Sequence, residues 1–295
     1  MAVERFEHHR DLLTGVAYRI LGTVTDAEDV VQEAWLRWSG VDAAAVENDR
    51  AYLIRVVTRL SIDRLRRIGA RRETYVGEWL PEPVATAPGV AERVELTTSV
   101  ELALLVVLET LSPLERAVFV LREAFGLPYA EIGEAIGRSE ATARQLGRRA
   151  KRHVEEGRPR FDVDRARRRE ITERFIGAAA GGDLDGLISM LAADVTLVAD
   201  GGGKVKAPLR TLTGAGKVTR FLAAITTEAG IRRFLESAGA EAAGGLTVET
   251  AEVNGAPAVV AAAGGRPVAV FSLVVRDGLI ETIYLLANPE KLTRL

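Results

Sequence analysis

The stretch YAEIGEAIGRSEATARQLGRRAKRHV, Tyr129 to Val154, predicts two short helices joined by a tight turn. Apolar residues recur at helical spacing on both sides of Gly137, and Ser139 is a residue type that commonly caps the start of a helix. The second helix is rich in arginine. Two short helices around a glycine-containing turn, the second of them basic, are typical of a helix-turn-helix that enters the major groove of DNA.

The second helix has two chemically different faces. Small and apolar residues such as Ala143 and Leu146 are predicted to face inward. Arg and Gln on the opposite face can match base edges, and further arginines can hold phosphates. A solvated basic helix remains the alternative, because the pattern is a permissive one. The residues predicted to contact duplex DNA are Glu140, Arg144, Gln145, Arg148, Arg149 and Arg152.

Helical periodicity also runs upstream, from Asp11 to about Arg72. A capping box, Thr25 to Glu28, predicts a helix from Asp26 to Trp38. On its polar face Leu36 stands among carboxylates, which favours a partner surface, although a lone exposed leucine often has no role. A second helix is predicted to begin near Arg50 and to carry a basic face.

Charge is unevenly distributed along the chain, although the formal net charge is only −2. Residues 50–72 hold eight Arg and one acid, and residues 138–169 hold twelve Lys and Arg against five acids. Two basic islands in an otherwise acidic chain suit polyphosphate partners, because each neutralised phosphate releases condensed counterions. Either island alone is also compatible with a solvated arginine-rich helix face.

Residues 73–98 interrupt the helical pattern with several prolines and predict an extended linker. The segment WLPEP, residues 79–83, is unusually apolar for a solvated tether, so we expect it to dock against a domain.

The C-terminal part predicts an α+β domain. Helices are expected over Ile171 to Ala180 and Leu184 to Leu191. Two-residue hairpin turns then separate strand-like runs, which predicts an antiparallel meander with helices packed on it. The four runs are Leu246 to Val253, Ala256 to Ala263, Pro267 to Arg276 and Leu279 to Ala287.

Composition excludes several classes of protein. A chain of 295 residues with 47% hydrophobic residues can form two or three domains. It has no cysteine and only three histidines, so neither a disulfide framework nor a metal site is expected, and no cofactor is predicted. The N-terminus is charged, and the longest apolar run, Leu102 to Leu108, is too short to span a bilayer. We therefore expect a cytoplasmic protein.

The segment DGGGKV, Asp200 to Val205, first suggests a phosphate-binding loop. A Walker loop requires Gly-Lys-Ser/Thr opening a helix, whereas Lys204 is followed by valine and a strand-like run precedes the glycines. A tight reversal needs only one or two glycines. The third glycine predicts a surface without side chains against which another segment of the chain can lie.

Three blocks of this sequence resemble extracytoplasmic-function (ECF) sigma factors of RNA polymerase. They occur in the order found in that family and cover roughly the first 155 residues. They resemble the core-polymerase-binding part of region 2, the promoter −10 part of region 2, and region 4. In that order the blocks are AYRILGTVTDAEDVVQEAWLRW (Ala17 to Trp38), TRLSIDRLRR (Thr58 to Arg67) and LSPLERAVFVLREAFGLPYAEIGEAIGRSEATARQLGRRAKRHV (Leu111 to Val154).

The rest of the chain resembles a SnoaL-like domain of the NTF2-like superfamily, a cone-shaped α+β barrel. WLPEP, DGGGKV and NPEKL (288–292) are similar to three signature motifs of the sigma-factor-J-like group of ECF factors. The resemblance implies a multidomain fold, with two all-α helical domains followed by the α+β barrel. Its segments are residues 1–72 (region 2), 73–98 (linker), 99–158 (region 4) and 165–295 (SnoaL-like domain).

The family resemblance also implies roles for residues of region 2. One exposed face of the Asp26 to Trp38 helix would dock on the clamp helices of the largest subunit of core RNA polymerase. A loop and the helix after it would bind the melted −10 strand, with a base flipped out for recognition. Many relatives have Asn where this chain has Arg59. The core-polymerase residues are Asp29, Gln32, Glu33 and Leu36, and the −10 residues are Asn48, Asp49, Arg50, Arg59, Asp63, Arg66 and Arg67.

For the C-terminal domain the resemblance implies regulation of the sigma regions within the same chain, so a separate anti-sigma factor is not expected to be required. We expect this domain to pack between the two DNA-binding modules and to touch WLPEP. The NPEKL motif also has a simpler explanation as a helix cap. The interdomain residues are Trp79, Leu80, Pro81, Glu82, Pro83, Asp200, Gly201, Gly202, Gly203, Lys204, Asn288, Pro289 and Lys291.

Two other functions stay open. The first places a small ligand, or a residual isomerase or cyclase activity, in the barrel; the domain has no histidine, and its aspartates, such as Asp183 and Asp194, fall at predicted helix ends or turns. We assign no catalytic residue and do not expect an enzyme. The second, a dimeric helix-turn-helix repressor, leaves the Asp26 to Trp38 block unexplained.

Overall fold

A computed structural model of the chain divides into two compact units. The helical unit comprises Met1–Glu73 and Pro88–Arg158, and the sheet unit comprises Thr74–Ala87 and Pro159–Leu295. Residues 74–87, which are the first part of the connection between the two helical modules, therefore belong to the sheet unit. The structure describes residues 2–42, 45–72, 74–86, 101–157, 164–240 and 245–295, so residues 73 and 87–98 of the predicted linker lie outside the described residues.

The first helical module is a bundle of four helices. The apolar faces of the second, third and fourth helices pack together, and Trp38 lies fully buried among them. The indole Nε1 of Trp38 donates a hydrogen bond of 2.8 Å to the carbonyl oxygen of Ala2, which ties the first helix to the bundle. The helices are α1 (Ala2–Glu7), α2 (Arg10–Leu21), α3 (Val24–Ser39) and α4 (Asp49–Arg72).

The predicted start of α3 at Asp26 is wrong by two residues. Thr23 has the extended backbone of an N-cap, with φ −131° and ψ 142°, whereas Thr25 already lies within the helix. The hydroxyl of Thr23 donates to the carboxylate of Asp26 at 2.6 Å. The sequence offers two threonines two residues apart, and the backbone conformation selects the earlier one.

The second helical module contains the predicted helix-turn-helix. Gly137 ends the first of its two helices in a left-handed conformation (φ 67°), and the Ser139 hydroxyl accepts from the backbone N–H of Thr142. Upstream, Ser112 and Glu115 form a capping box at the start of the next helix. The helices are α5 (Leu102–Leu108), α6 (Pro113–Phe119), continued by a π-helical turn (Val120–Ala124), α7 (Tyr129–Ile136) and α8 (Glu140–Gly157).

The sheet unit has helices packed on a six-stranded sheet. The strand order is β2-β1-β6-β5-β4-β3; β3 to β6 form the predicted antiparallel meander, and β1 adds to it parallel to β6. The elements are α9 (Arg165–Gly181), α10 (Leu184–Met190), β1 (Leu191–Asp200), β2 (Leu212–Thr213), α11 (Ala215–Thr226), α12 (Glu228–Ser237), β3 (Leu246–Val253), β4 (Ala256–Ala263), β5 (Arg266–Arg276), β6 (Leu279–Leu286) and a 3-10 turn (Pro289–Lys291).

Two boundaries in the sheet unit differ from the prediction. The helix expected from Ile171 begins at Arg165, because the side chain of Asp164 accepts from the N–H of Arg167 and caps it. Leu191, expected to end a helix, opens β1 and pairs with Ile280 of β6. In both places a contact that helical periodicity does not encode decides where the element begins.

Two kinds of feature are absent from the described residues. No helix in the described ranges combines the length and apolar composition needed to cross a membrane. Within those same ranges, no three His, Asp or Glu side chains come together as a group that would hold a metal ion.

The capping box at the start of α6 generates a stability prediction. Ser112→Ala removes the acceptor for the N–H of Glu115 and should lower the free energy of opening of α6 by about 1 kcal/mol. Hydrogen exchange of the α6 amides in the full chain measures this. Ser189→Ala, which removes a hydroxyl bonded to a carbonyl within α10, is the control and should change local stability by less than about 0.5 kcal/mol. An unchanged α6 exchange rate would contradict the role of the cap.

Candidate functional site: nucleic-acid faces and a docked linker

The structure brings the six predicted duplex-DNA residues together on one exposed face of α8. Ala143 and Ala150 on the other face are fully buried, while the six residues from Glu140 to Arg152 are all exposed. Arg144 forms an ion pair with Glu140 one turn away, and Arg149 lies 3.7 Å from the carboxylate of Glu115. Such exposed pairs are weak and exchange readily for phosphate contacts. The DNA-binding role of this face stays a prediction.

The four residues predicted to bind core polymerase lie on the exposed face of α3. Leu36 is 64% exposed, whereas Val30, Val31 and Ala34 on the opposite face are buried. Asp29 is paired with Arg64 of α4 at 2.9 Å. An apolar side chain surrounded by carboxylates therefore faces solvent, as expected for a partner surface.

The residues predicted to bind the −10 strand have differing environments. The Asn48 side chain accepts a hydrogen bond of 3.0 Å from the N–H of Ala51 at the start of α4, and Asp49 forms an ion pair with Arg5. Arg50 is exposed. Farther along α4, Asp63 forms an ion pair of 3.2 Å with Arg66 and accepts at its carbonyl from Arg67. Asn48 and Asp49 thus also have a structural role.

Arg59 is held by the second helical module. Its guanidinium donates to the carbonyl oxygens of Glu134 at 2.8 Å and Ala135 at 3.1 Å, at the end of α7. Carbonyls at a helix C-terminus lack intrahelical partners and carry partial negative charge, so they suit a cation. Arg59 is predicted to contact the −10 strand. In this conformation its guanidinium is instead bonded to the module that is predicted to bind the −35 element.

The two helical modules also meet at Arg116, which is 1% exposed. Its Nε donates to the carbonyl oxygen of Arg19 in α2 at 3.2 Å, and its Nη1 pairs with Glu109 at 2.5 Å. The guanidinium of Arg19 lies 5.0 Å from the ring centroid of Phe125, and burial lowers the pKa of Arg19 to about 10. The modules therefore contact each other directly at Arg116, and the expected position of the C-terminal domain stays a prediction.

In the sheet unit, Asp200 joins the three sequence motifs. Its carboxylate is fully buried and accepts hydrogen bonds from the hydroxyl of Tyr75 at 2.6 Å and the backbone N–H of Leu80 at 2.9 Å. It also forms an ion pair of 2.6 Å with Lys291. The Lys291 ammonium donates in addition to the carbonyl oxygen of Leu80 at 2.6 Å. WLPEP, DGGGKV and NPEKL therefore meet at one buried pair of charges.

Aromatic side chains of the linker surround this ion pair and help to compensate the loss of water around its charges. The ammonium of Lys291 lies 4.0 Å from the ring centroid of Trp79 and 5.1 Å from that of Tyr75, within the range of cation–π attraction. Burial, and then the hydrogen bond to Asp200, raise the pKa of the Tyr75 hydroxyl well above its usual range. The Tyr75 hydroxyl therefore stays protonated at physiological pH and donates a hydrogen bond to Asp200.

Other segments of the chain approach two glycines of DGGGKV so closely that a side chain would not fit there. A Cβ on Gly202 would lie 2.5 Å from the side-chain nitrogen of Asn288, and one on Gly203 would lie 2.9 Å from Cβ of Val76. Both glycines also have positive φ, 61° and 70°. The predicted surface without side chains exists, and the segment lying on it is the linker just before WLPEP together with Asn288.

NPEKL combines its simple capping role with contacts to the other motifs. The Asn288 side chain accepts from the N–H of Glu290 to cap the 3-10 turn, and its Nδ2 donates to the hydroxyl of Tyr75 at 2.8 Å. At the surface Glu290 forms an ion pair with Lys204. Pro289 provides the first residue of the turn.

The docked linker continues beyond WLPEP. Leu80, Pro81, Glu82 and Pro83 are buried. Next, the N–H of Val84 donates to the Asn254 side chain at 3.1 Å, and the N–H of Asn254 donates back to the carbonyl of Val84 at 2.8 Å. Thr86 then bonds to the carbonyl of Glu252. The whole described linker segment, residues 74–86, is thus held along the sheet unit, and we call it the docked linker.

Sequence reasoning missed Tyr75 and Asn254. The strand-like runs place Asn254 in the hairpin turn between β3 and β4, and its φ of 53° fits such a turn, but its side chain also holds the linker. Tyr75 lies just before WLPEP, and an aromatic residue with a hydroxyl in a Pro-rich linker was the available signal. The regulatory role of the assembled residues stays a prediction.

Comparison with known proteins supports the three blocks and the C-terminal extension. Residues 5–72 match the family model of Sigma-70 region 2. Residues 101–154 match the family model of Sigma-70 region 4. It is 41% identical over 301 residues to the ECF RNA polymerase sigma factor SigJ of Mycobacterium tuberculosis, covering 99% of this chain and 94% of that protein. It is 40% identical over 186 residues to the probable ECF RNA polymerase sigma factor SigI of the same species, covering 62% and 64% of the two chains.

The fold is similar as well. The crystal structure of Mycobacterium tuberculosis SigJ matches with a TM-score of 0.78 and 38% identity, and covers 99% of this chain and 98% of that one. The expected fold class is confirmed as two helical sigma domains followed by an α+β domain.

The contact of Gly203 with Val76 generates a test of linker docking. Gly203→Ala combines an unfavourable positive φ with a clash, so it should raise hydrogen exchange at the N–H of Leu80 by about tenfold. Gly265→Ala is a matched control, since Gly265 has φ 76° with open space around its Cβ position. Exchange measured by mass spectrometry on the linker peptide should distinguish the two variants. Equal exchange in both variants would show that the close approach of Gly203 and Val76 is not needed for linker docking.

Proposed function

Because the chain belongs to the ECF sigma factors of RNA polymerase, we propose that it binds core RNA polymerase and that its sheet unit regulates promoter recognition through the docked linker. The sigma role is that of the family. In this role regions 2 and 4 supply promoter choice and the polymerase supplies catalysis. We assign no catalytic group to this chain.

The exposed faces support this division of roles. The face of α3 around Leu36 would dock on the clamp helices of the polymerase. The arginine face of α8 would enter the major groove of the −35 element, where Arg and Gln can read base edges. The basic surface of α4 and the residues from Asn48 to Arg50 would hold the melted −10 strand.

The observation that carries the regulatory part is the position of Asp200 in the network of the three motifs. The chain between regions 2 and 4 does not run free, because Tyr75 and Leu80 bond to Asp200 and Leu80 also bonds to Lys291. The segment that sets the separation of the two DNA-binding regions is thereby part of the regulatory domain. A separate anti-sigma factor is not required for this mechanism.

Docking shortens the length of chain that can extend. From residue 73 to residue 101 the connection between α4 and α5 comprises 29 residues, which span at most about 100 Å when fully extended. With the docked linker held, residues 87–101 remain between it and α5, and these 15 residues span at most about 50 Å. Because both regions must reach their promoter elements together, docking restricts the promoter spacings that the protein accepts.

Direct contact between regions 2 and 4 adds a second restriction. Arg59 donates to the α7 carbonyls of Glu134 and Ala135, so it must leave them before it contacts DNA. Exposed and half-exposed contacts of this kind contribute little each, and phosphates of promoter DNA can replace them. The conformation described is thus a resting state of the free protein.

The α3 face generates a prediction on polymerase binding. Leu36→Glu replaces an exposed apolar contact with a like charge beside Asp29 and Glu33, and should reduce the core polymerase that co-purifies with the protein by about tenfold. Leu184→Glu, at another exposed leucine, should leave co-purification unchanged. Equal loss with both variants, or with neither, would remove Leu36 from the interface.

The linker mechanism predicts altered promoter spacing. In transcription with core polymerase, the full-length protein should prefer one distance between −35 and −10 elements at a promoter selected from a random library. Gly203→Ala should tolerate spacers one to three base pairs longer or shorter, with at least about a threefold gain at those promoters, because the linker is released. Gly265→Ala should behave like the unmodified protein. If Gly203→Ala frees the linker by hydrogen exchange and leaves spacing preference unchanged, the proposed regulation is wrong while the sigma role stands.

A further inference from the structure

The sheet unit contains a cavity of about 280 Å³ between α9, α11, α12 and the sheet. Four phenylalanines contribute to its lining, together with aliphatic residues from all of these elements. The four aromatic residues are Phe175, Phe221, Phe234 and Phe271. The three motifs described above do not account for this cavity, since neither Asp200 nor Lys291 lines it.

The lining selects for apolar molecules. Among the described lining residues only Lys206 and Thr226 have polar side chains, and the Thr226 hydroxyl already donates to carbonyl oxygens within α11. An apolar cavity without polar partners stays dry and takes up apolar ligands, as an engineered cavity of about 150 Å³ does with benzene. A cavity about twice that size suits a molecule of roughly two aromatic rings.

The one lysine of the described lining adds a preference for charge. Lys206 is exposed, and no described carboxylate forms an ion pair with its ammonium. Its backbone is fixed, because its N–H donates to the hydroxyl of Ser237 at 3.1 Å. Val248, also in the lining, is 45% exposed, so the cavity reaches the surface. An ammonium at the rim of an apolar cavity would attract an anionic group left in water while the rings are buried.

We propose that this cavity is a binding site for a small aromatic or alicyclic molecule that carries one anionic group, with its rings among the phenylalanines and its anion at Lys206. The described lining has no carboxylate or imidazole to move a proton, so the site binds its ligand without chemistry. This site goes beyond the proposed regulation, because linker docking through Asp200 does not require a ligand.

Covalent connections link the cavity to the docked linker. Leu285 lines the cavity near the end of β6, and Ala287 and Asn288, just beyond it, donate to the carbonyl oxygen of Asp200. Lys206 follows the DGGGKV loop directly. A ligand that stiffens these two chain segments would stabilise the surface on which the linker lies.

A pair of fluorescent probes tests the site in the full-length protein. 8-Anilinonaphthalene-1-sulfonate has the required rings and anion, and N-phenyl-1-naphthylamine has the same rings without the sulfonate. The sulfonate probe should bind with saturable fluorescence at one molecule per chain and should raise the melting temperature. The neutral probe should bind the same site several-fold more weakly. Fluorescence that does not saturate, or a melting temperature unchanged at saturation, would overturn the proposal.

Variants then locate the bound probe. Lys206→Gln should weaken the sulfonate probe about three- to fivefold and leave the neutral probe unchanged, while Lys217→Gln, at an exposed lysine outside the lining, should affect neither. Ala261→Leu fills the cavity and should abolish binding of both probes, with folding checked by circular dichroism. If that variant does not fold, Val248→Trp closes the exposed side instead. Retained binding in a folded, filled variant would place the probe elsewhere and overturn the proposal.

Discussion

The buried ion pair between Asp200 and Lys291 is the interaction on which the sheet unit depends for its contact with the linker. Removing two charges from water costs several kcal/mol per ion, and this cost is offset only when geometry is good and other hydrogen bonds complete the shell. Here Tyr75, the N–H and carbonyl of Leu80 and the ring of Trp79 complete it. All of these groups come from the linker, so without it a charged pair would be exposed at an incomplete site.

This dependence explains why the linker belongs to the sheet unit, although in sequence it joins two helical modules. A segment of thirteen described residues is held at Asp200 and at Asn254, in addition to the glycine surface, so its contacts reinforce each other. A tethered segment needs only modest affinity to remain bound, because the connection keeps it at a millimolar-scale effective concentration. Docking can therefore be stable in the free protein and still reversible when polymerase and DNA compete.

The helical unit uses charge differently. Its arginines on α4 and α8 are mostly exposed and weakly paired, and they remain available to phosphates. Arg116 is an exception, because it is buried against Glu109 and the Arg19 carbonyl and joins the two modules. Arg59 is intermediate, with its guanidinium on the α7 carbonyls at an exposed site. The buried Arg116 thus makes a structural contact, whereas the exposed arginines make contacts that phosphates can replace.

Local signals in the sequence by themselves determined the helix-turn-helix around Gly137, the capping box at Ser112 and the hairpin turns of β3 to β6. The reason is that helix capping, periodicity and turn chemistry each depend on only a few neighbouring residues. The sequence also indicated that DGGGKV needs a surface without side chains. Only the tertiary structure decided that Val76 lies on it and that Tyr75 bonds to Asp200. It also decided that Asn254 holds Val84 and that Arg59 bonds to carbonyls of α7. Those pairs join residues that are 75 to 170 positions apart, and no local pattern encodes which distant partner completes a buried charge.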